Sequence, residues 1–312
     1  MRDGSPGVVD TLVIGEALID IVRPVDGAPQ EHVGGSPLNV AIGLARLGHP
    51  ARLAAYLADD AYGQQIQEHL AADGVSLVEG SLSADRTPTA VATLDETGSA
   101  TYEFDLTWDL PYPLPTDVGH LHTGSIAAAL QPGAEKVAEA MLAARDHATV
   151  SFDPNPRPTL IGAAHDVRSQ LEQLVGYSDV AKASDEDIAW LYGADVDPGQ
   201  VLALWGQLGP SLVVMTRGGD GALMHVTATG ETESVAGRSV SVADTVGAGD
   251  SFQSGLLSGL LDAGLLGSTD ARQRLRTATA ADLRPAVDRA IATSAVTVSR
   301  AGANPPTRDE LD

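Results

Sequence analysis

Short apolar runs alternate with helix-forming segments along the chain, and this alternation constrains the fold more than any other feature. The runs typical of buried parallel strands are residues 11–15, 52–57, 120–124, 149–153, 179–183 and 211–216. Helix patterns such as 61–72 and 132–145 recur between them, at intervals of roughly thirty residues. The chain is therefore predicted to form an α/β fold with three α/β/α layers and a doubly wound, mostly parallel sheet.

Two segments depart from this alternation and are predicted to form β-hairpins. The first covers residues 21–34, and the second covers 88–108, with strands joined at Asp95-Glu-Thr-Gly98. An antiparallel hairpin inside a βαβ chain is either a small lid or a plain edge of the sheet. Nothing in the sequence resembles a linker between two domains, so residues 1–312 are predicted to be a single domain.

Near the carboxyl terminus, the polar composition of residues 268–284 predicts a surface loop. Residues 285–298 are predicted to form the final helix.

Acidic residues outnumber basic ones 42 to 19, which gives a formal net charge of −23. Such a chain repels nucleic acid and anionic membranes, because binding either depends on Lys and Arg side chains that neutralise phosphates. Lys136 and Lys182 are the only lysine residues. Positive charge around a phosphorylated ligand therefore has to come mainly from backbone amides, arginine residues and metal ions.

The lack of cysteine excludes disulfides, thiolate metal sites and a cysteine nucleophile. The apolar runs are too short to span a bilayer, and residues 1–10 have no signal-peptide pattern. These features predict a cytoplasmic protein.

Polar and glycine residues recur where the predicted strands end. They are Asp20, Asn39, Asn155, Ser184–Asp187, Arg217–Gly221 and Gly247–Asp250. Because the carboxyl ends of parallel strands share one edge of a sheet, we expect these residues to meet there. Acids, amides and two glycine-rich turns at one edge indicate a phosphate-handling site.

Two glycine-rich segments open helices. In the segment Gly34–Asn39, Ser36 is the predicted N-cap and Pro37 the first helical residue. The second segment, Asp244–Phe252, follows Val240 and Val242 and leads into an apolar helix. It is either a tight strand-to-helix turn or an anion site, in which free N–H groups would hold a phosphate next to a carboxylate base.

Several nucleotide and hydrolase sites are excluded by their missing motifs. The sequence has no G-x-x-x-x-G-K-[ST] P-loop and no G-x-G-x-x-G after its first strand. Its eight histidines have no spacing such as H-E-x-x-H, and its serines have no G-x-S-x-G elbow.

The two glycine-rich segments resemble the two signatures of ribokinase-like (PfkB-type) carbohydrate kinases. They are Gly34-Gly-Ser-Pro-Leu-Asn39-Val-Ala and Asp244-Thr-Val-Gly-Ala-Gly-Asp250-Ser-Phe. The resemblance runs nearly end to end, and FDPNPRP around Asn155 is similar to a segment of the bacterial fructokinases in that family. It implies a ribokinase-like fold with a small β-sheet lid, and transfer of a phosphoryl group from ATP to a sugar hydroxyl.

The resemblance also implies roles for individual residues. Asp250 would be the general base, and Gly247, Ala248 and Gly249 would supply amides to the transferred phosphoryl group. The implied sugar-binding residues are Asp20, Gly35, Asn39, Tyr102, Phe104, Asn155, Arg157 and Asp250. The implied ATP-binding residues are Lys182, Ser184, Thr216, Gly218, Gly219, Gly221 and Gly249.

Two metal sites are implied as well. Asp187, with Glu186 as a substitute, would hold Mg²⁺ through water, although this segment departs from the family's Asn-x-x-Glu motif. Potassium would lie at a second site, whose residues are Asp244, Val246, Arg300 and Gly302.

Fructose is the expected substrate. The alternatives left open are 2-keto-3-deoxygluconate, ribose and a nucleoside, and, outside enzymes, a sugar-binding regulator without activity. A homodimer joined through the lid is a further expectation.

Overall fold

The computed structural model describes residues 9–94 and 100–311, with Ala100 and Tyr102 described by their backbone alone. Its strands are β1 (Thr11–Ile14), β2 (Leu18–Arg23), β3 (Gln30–Gly34), β4 (Ala51–Ala54), β5 (Ser76–Leu77), β6 (Thr89–Leu94), β7 (Ala100–Asp105), β8 (His120–Gly124), β9 (Thr149–Asp153), β10 (Val180–Ser184), β11 (Leu212–Thr216), β12 (Ala222–Val226) and β13 (Glu231–Val235). Its helices are α1 (Ser36–Arg46), α2 (Ala61–Ala72), α3 (Gly133–Ala144), α4 (Pro158–Ile161), α5 (Ala164–Tyr177), α6 (Asp185–Tyr192), α7 (Pro198–Leu208), α8 (Ala248–Asp262), α9 (Thr269–Leu275) and α10 (Ala280–Val298).

The described strands form two sheets. The large one has the order β13-β12-β11-β10-β9-β8-β1-β4-β5. It is parallel from β5 to β11, while β12 and β13 continue it as an antiparallel hairpin. This arrangement confirms the predicted mostly parallel α/β sheet.

Helices cover both faces of the large sheet because its strands are apolar on both sides. Leu12 and Ile14 of β1 pack into a core with α3, α5 and α7, whereas Val13 packs into the opposite core with α1, α8 and α10. Successive side chains of a strand point to opposite faces, so one short strand supplies both cores.

The two predicted hairpins pair with each other as a separate small sheet, of order β3-β2-β6-β7. β2 and β6 are parallel, and each has an antiparallel partner, β3 and β7 respectively. The turn at Asp95–Gly98 lies outside the described residues. Asp20 does not follow a strand of the large sheet, as its position suggested, but lies within β2 of the small sheet.

The predicted surface loop over 268–284 is wrong, because this segment contains α9 and the start of α10. Ser268 caps α9, and Thr279 forms a capping box with Asp282 at the start of α10. Leu275 and Leu283 are buried. Most of the polar residues that suggested a loop form the solvent faces of two amphipathic helices, whereas Arg272 is buried and pairs with Asp179.

In the described part of the chain, no helix is both long and apolar enough to cross a membrane.

Candidate active site

A cavity of about 990 Å³ lies between the small sheet and the carboxyl edge of the large sheet. The residues around it come from the small sheet, from both glycine-rich helix starts and from the loops after β1, β8 and β9. Its polar lining includes Glu16, Asp20, His32, Asn39, Ser125, Arg157, Asp244 and Asp250. The structure therefore brings together residues that are far apart in sequence.

The start of α8 is built around Gly247, which has a φ of 73°. A Cβ there would lie 2.6 Å from the Cβ of Ala303, so only glycine allows this approach. The Ala248 N–H donates to the carbonyl of Thr245 at 3.2 Å. Helix geometry leaves the next amides, those of Gly249 and Asp250, without intrahelical acceptors and thus suited to an anion.

The segment before α8 is not a strand. Val240 and Val242 lie in an irregular segment and are exposed, so their alternation does not reflect a buried strand. The predicted strand before α8 is therefore wrong, while the tight turn into the helix is present at residues 246–247.

The carboxylate of Asp250 is held by both of its oxygens. The Ser36 hydroxyl donates to Oδ1 at 2.6 Å, and the Asn39 amide donates to Oδ2 at 2.8 Å. Both donors lie in the first turn of α1, and Asp250 lies in the first turn of α8. The side chain is only 8% exposed, so its orientation is fixed where it meets the cavity.

Ser36 is not the N-cap that its sequence position suggested. Gly35 occupies that position with a φ of 121°, and a Cβ on it would lie 2.4 Å from the Glu16 carbonyl oxygen. The Ser36 hydroxyl is therefore free to bond Asp250 instead of its own helix.

Behind Ser36, the proline-rich loop after β9 continues the hydrogen-bond chain. Asn155 donates from Nδ2 to the Ser36 hydroxyl at 3.0 Å and accepts from Arg157 at 2.6 Å. Its φ of 35° is rare for a residue other than glycine. Asn155 thus contacts Ser36 and Arg157, while Arg157 itself reaches the cavity.

A buried ion pair lies beside the start of α8. Lys182 Nζ is 2.7 Å from Asp153 Oδ2, and both side chains are almost fully buried. The same Nζ lies 3.3 Å from where a Cβ on Gly249 would be. Burial alone would lower the pKa of Lys182, but the Asp153 carboxylate outweighs it and raises that pKa. A fixed positive charge therefore lies next to the amides of α8.

Five of the seven residues expected to bind ATP lie at or just after the ends of β10 and β11, whereas Lys182 lies within β10 and Gly249 within α8. Thr216 ends β11 and leads into the turn containing Gly218, Gly219 and Gly221. Gly221 has a φ of 92°, and a Cβ on it would lie 2.1 Å from the Val235 carbonyl oxygen. This tight turn keeps the backbone accessible next to the β12–β13 hairpin.

The expected magnesium residues form the cap of α6. Ser184 and Asp187 bond reciprocally, with the Ser184 N–H donating to Asp187 Oδ2 at 2.8 Å, and Glu186 is exposed. Among the described residues, no group of three or more Asp, Glu or His side chains could hold a metal ion. This donor set suits only an ion held mainly by phosphates and water, as Mg²⁺ commonly is.

Three of the four expected potassium residues come together: Asp244, Val246 and Gly302. The carboxylate of Asp244 accepts from the N–H groups of Val246 at 3.0 Å and of Gly302 at 2.8 Å. These bonds lower the pKa of Asp244. Arg300 pairs through its side chain with Glu310, at the surface.

Asp20 and Phe104 of the small sheet line the cavity, as expected of sugar-binding residues. Burial raises the pKa of Asp20, with partial compensation from His32 and Arg157. The side chain of Tyr102, the other expected lid residue, lies outside the described part of the chain.

Glu16 is a site residue that sequence reasoning missed. It follows β1, lines the cavity and is only 7% exposed. The sole signal in the sequence was its position just after the first strand. From the sequence alone, that strand-end position is assigned to Asp20 instead. Burial, only partly offset by the neighbouring Ser125, raises the pKa of the Glu16 carboxyl to about 7.

Comparison with known proteins identifies the family. Residues 10–310 match the family described as pfkB family carbohydrate kinase. The chain belongs to this family. The fructokinase of Escherichia coli is 34% identical to this pfkB-family protein over 316 residues, covering 96% of this chain and 97% of that protein. The predicted family and the predicted class, a phosphotransferase acting on a sugar hydroxyl, are confirmed.

Solved fructokinase structures share the fold of this pfkB-family protein. One from Xylella fastidiosa with bound ATP aligns over 97% of this chain and 96% of that chain, with a TM-score of 0.81 and 25% identity. A double mutant of the Vibrio cholerae O395 enzyme, bound to fructose, ADP and potassium ion, aligns over 98% of both chains, with a TM-score of 0.77 and 26% identity. These alignments confirm the predicted fold class.

The raised pKa of Glu16 predicts a pH-dependent stability. Between its ordinary value of 4.5 and about 7, the folded protein retains a proton that the unfolded chain releases. The contribution of this group to the free energy of unfolding should therefore fall across that window, by up to about 3 kcal/mol. The buried histidines, whose pKa values are lowered, and Asp153, whose pKa is raised, also make stability depend on pH, but to the same extent in both proteins. Urea unfolding from pH 4.5 to 8 should therefore show the free energy of unfolding of the wild type falling by this amount relative to that of Glu16→Gln.

The exposed Glu135 offers a matched control, since Glu135→Gln should follow the wild type at every pH. A stability difference between wild type and Glu16→Gln that does not change with pH would contradict the assignment.

Proposed function

We propose that the protein transfers the γ-phosphoryl group of ATP to fructose, giving fructose 6-phosphate. The observation that carries this proposal is the Asp250 carboxylate, fixed by Ser36 and Asn39 at the amide-rich start of α8 and facing a cavity. Family membership and the fructokinases among the relatives support it.

Asp250 acts as the general base in this proposal. It takes the proton of the sugar hydroxyl as the hydroxyl oxygen attacks the γ-phosphorus and the bond to the ADP oxygen breaks. The free amides of α8 donate to the phosphoryl oxygens, and the positive charge of Lys182 lies beside them. Because these groups are already in place, little reorganisation is needed when negative charge develops.

The sugar lies between the two sheets. Asp20 and Asn39 bond its hydroxyls, Gly35 allows it close to the backbone, and Phe104 covers it from the small sheet. The carboxylates of Glu16, Asp20 and Asp250 face this space, with Arg157 as a positive partner. An acid-rich lining favours a neutral polyol such as fructose over the carboxylate of 2-keto-3-deoxygluconate.

ATP lies along the ends of β10 and β11, with its phosphates directed at α8. We place its contacts at Lys182, Ser184, Thr216, Gly218, Gly219, Gly221 and Gly249. Mg²⁺, when bound to ATP, neutralises phosphate charge, and Asp187 and Glu186 at the start of α6 face it through water.

Potassium is proposed at the loop next to α8. Asp244 supplies a carboxylate, and the carbonyl groups of Val246, Arg300 and Gly302 complete the donors. This placement rests on the hydrogen bonds that tie Asp244 to Val246 and to Gly302.

We further propose that the chain works as one kinase domain, residues 1–312, with the small sheet as its lid. β3 and β7 form the edges of that sheet and are largely exposed where described, so a homodimer would join through it. Sedimentation equilibrium tests the dimer, and a monomer mass at micromolar concentration would contradict it.

A substrate panel tests the proposed function. ATP consumption should have its highest kcat/KM with fructose, ahead of 2-keto-3-deoxygluconate, ribose and a nucleoside, and NMR should identify the product as fructose 6-phosphate. A different preferred sugar would reassign the substrate. No turnover with any of them would favour an inactive sugar-binding regulator.

Removing the proposed base should abolish turnover without abolishing binding. Asp250→Asn keeps the size of the side chain but cannot accept the proton, so kcat should fall by roughly 10²–10⁴-fold, while fructose affinity stays within a few-fold. Asp270→Asn, an exposed acid in the first turn of α9, is the matched control. A kcat near that of the wild type would rule out the base role.

The proposed cation site predicts faster turnover in K⁺ than in Na⁺ at equal ionic strength. Asp244→Asn should remove this difference, because it weakens the site at its only charged donor, while Asp270→Asn should retain it. Equal wild-type rates in the two salts would count against the site.

A further inference from the structure

Glu16 lines the cavity, and one of its carboxyl oxygens is buried without a hydrogen-bond partner. Oε2 of this carboxyl makes no hydrogen bond within the described residues, although Glu16 is only 7% exposed. A buried polar atom without a partner costs free energy, and most such atoms in native proteins have one. An unpaired carboxyl oxygen at a ligand cavity therefore indicates that the ligand supplies the missing bond.

The other contacts of Glu16 hold it in place without using this oxygen. Ser125 lies beside the carboxyl and lowers its pKa. Ser125 itself has a φ of 56°, and the described non-glycine residues with such positive φ are Ser125 and Asn155. Both stand directly behind the site, Ser125 against Glu16 and Asn155 against Ser36. Backbone strain of this kind is concentrated where side chains have to be positioned for function.

The charged groups around Glu16 come from several elements. Arg157, from the loop after β9, lowers the pKa of Glu16, and Asp250, from α8, raises it. Asp20 and His32 of the small sheet face the same cavity. Glu31, Asp244 and His69 also line this cavity, so that five acids face one arginine among its lining residues. A hydroxyl that donates a hydrogen bond is therefore better accommodated there than another acceptor.

We propose that Glu16 is a sugar-binding residue, whose ionised Oε2 accepts a hydrogen bond from a hydroxyl of the substrate. This inference rests on the proposed function for the choice of sugar. A hydrogen bond to the charged form favours that form, so the sugar displaces the proton that Glu16 holds near neutral pH. Sugar binding is then coupled to proton release.

Isothermal titration of fructose into the ATP-free protein tests the coupling, because it requires no chemistry. Heats measured at pH 7 in buffers of different ionisation enthalpy should reveal release of roughly half a proton per sugar bound, given a pKa of about 7. Wild-type affinity should rise about tenfold from pH 6 to pH 8. In Glu16→Gln the release should fall to near zero, and affinity at pH 8 should fall roughly tenfold and no longer depend on pH.

Asp20, Asp250 and His32 also face the sugar and could release a proton. Comparison of the wild type with Glu16→Gln therefore assigns the released proton to Glu16. Glu135→Gln, on the exposed face of α3, should match the wild type in affinity and proton release. If Glu16→Gln does not fold, Glu16→Asp is used in its place. Aspartate keeps the charge, but its shorter side chain moves the oxygen away from the sugar by the length of one methylene. It should also weaken sugar binding.

Proton uptake on binding, or release that persists in Glu16→Gln, would overturn the inference. Failure of the proposed function would be distinguishable, because the wild type would then bind or phosphorylate no fructose at all.

Discussion

Close packing of α1 against α8 is the constraint on which the site depends. A Cβ on Gly43 of α1 would lie 2.3 Å from the Ser254 hydroxyl of α8, so the helices can be this close only with glycine there. Asn39 and Asp250 stand four residues before these two positions, one helical turn nearer the cavity. The crossing therefore brings them within hydrogen-bond distance, at 2.8 Å.

Electrostatics explains how so acidic a chain can offer a phosphate site. One of its two lysines is buried beside the amides of α8, where the Asp153 carboxylate keeps it charged. On the sugar side the acids are concentrated, and burial raises the pKa of both Glu16 and Asp20. The proposed phosphate side thus holds a buried lysine, although Asp153 pairs with it, whereas the sugar side is lined by acids and suits a neutral, hydroxyl-rich acceptor.

Local sequence signals predicted much of the fold. α2 and β9 have the predicted bounds, because strong periodicity and clear capping residues define them. Predictions failed where long-range packing outweighs local signals. The alternation of Val240 and Val242 does not make a strand, since no neighbouring strand pairs with that segment among the described residues. The polar segment after Ser268 is helical because its few apolar side chains are buried in the core.

By itself the sequence determined the fold class and the two glycine-rich helix starts, because these depend on periodicity and on turn chemistry. Only the tertiary structure decided which groups surround Asp250. Ser36 bonds Asp250 rather than its own helix, Asp20 belongs to the small sheet, and Glu16, which lines the cavity, has a buried oxygen without a partner. Each of these depends on contacts between residues distant in sequence, on which local patterns carry no information.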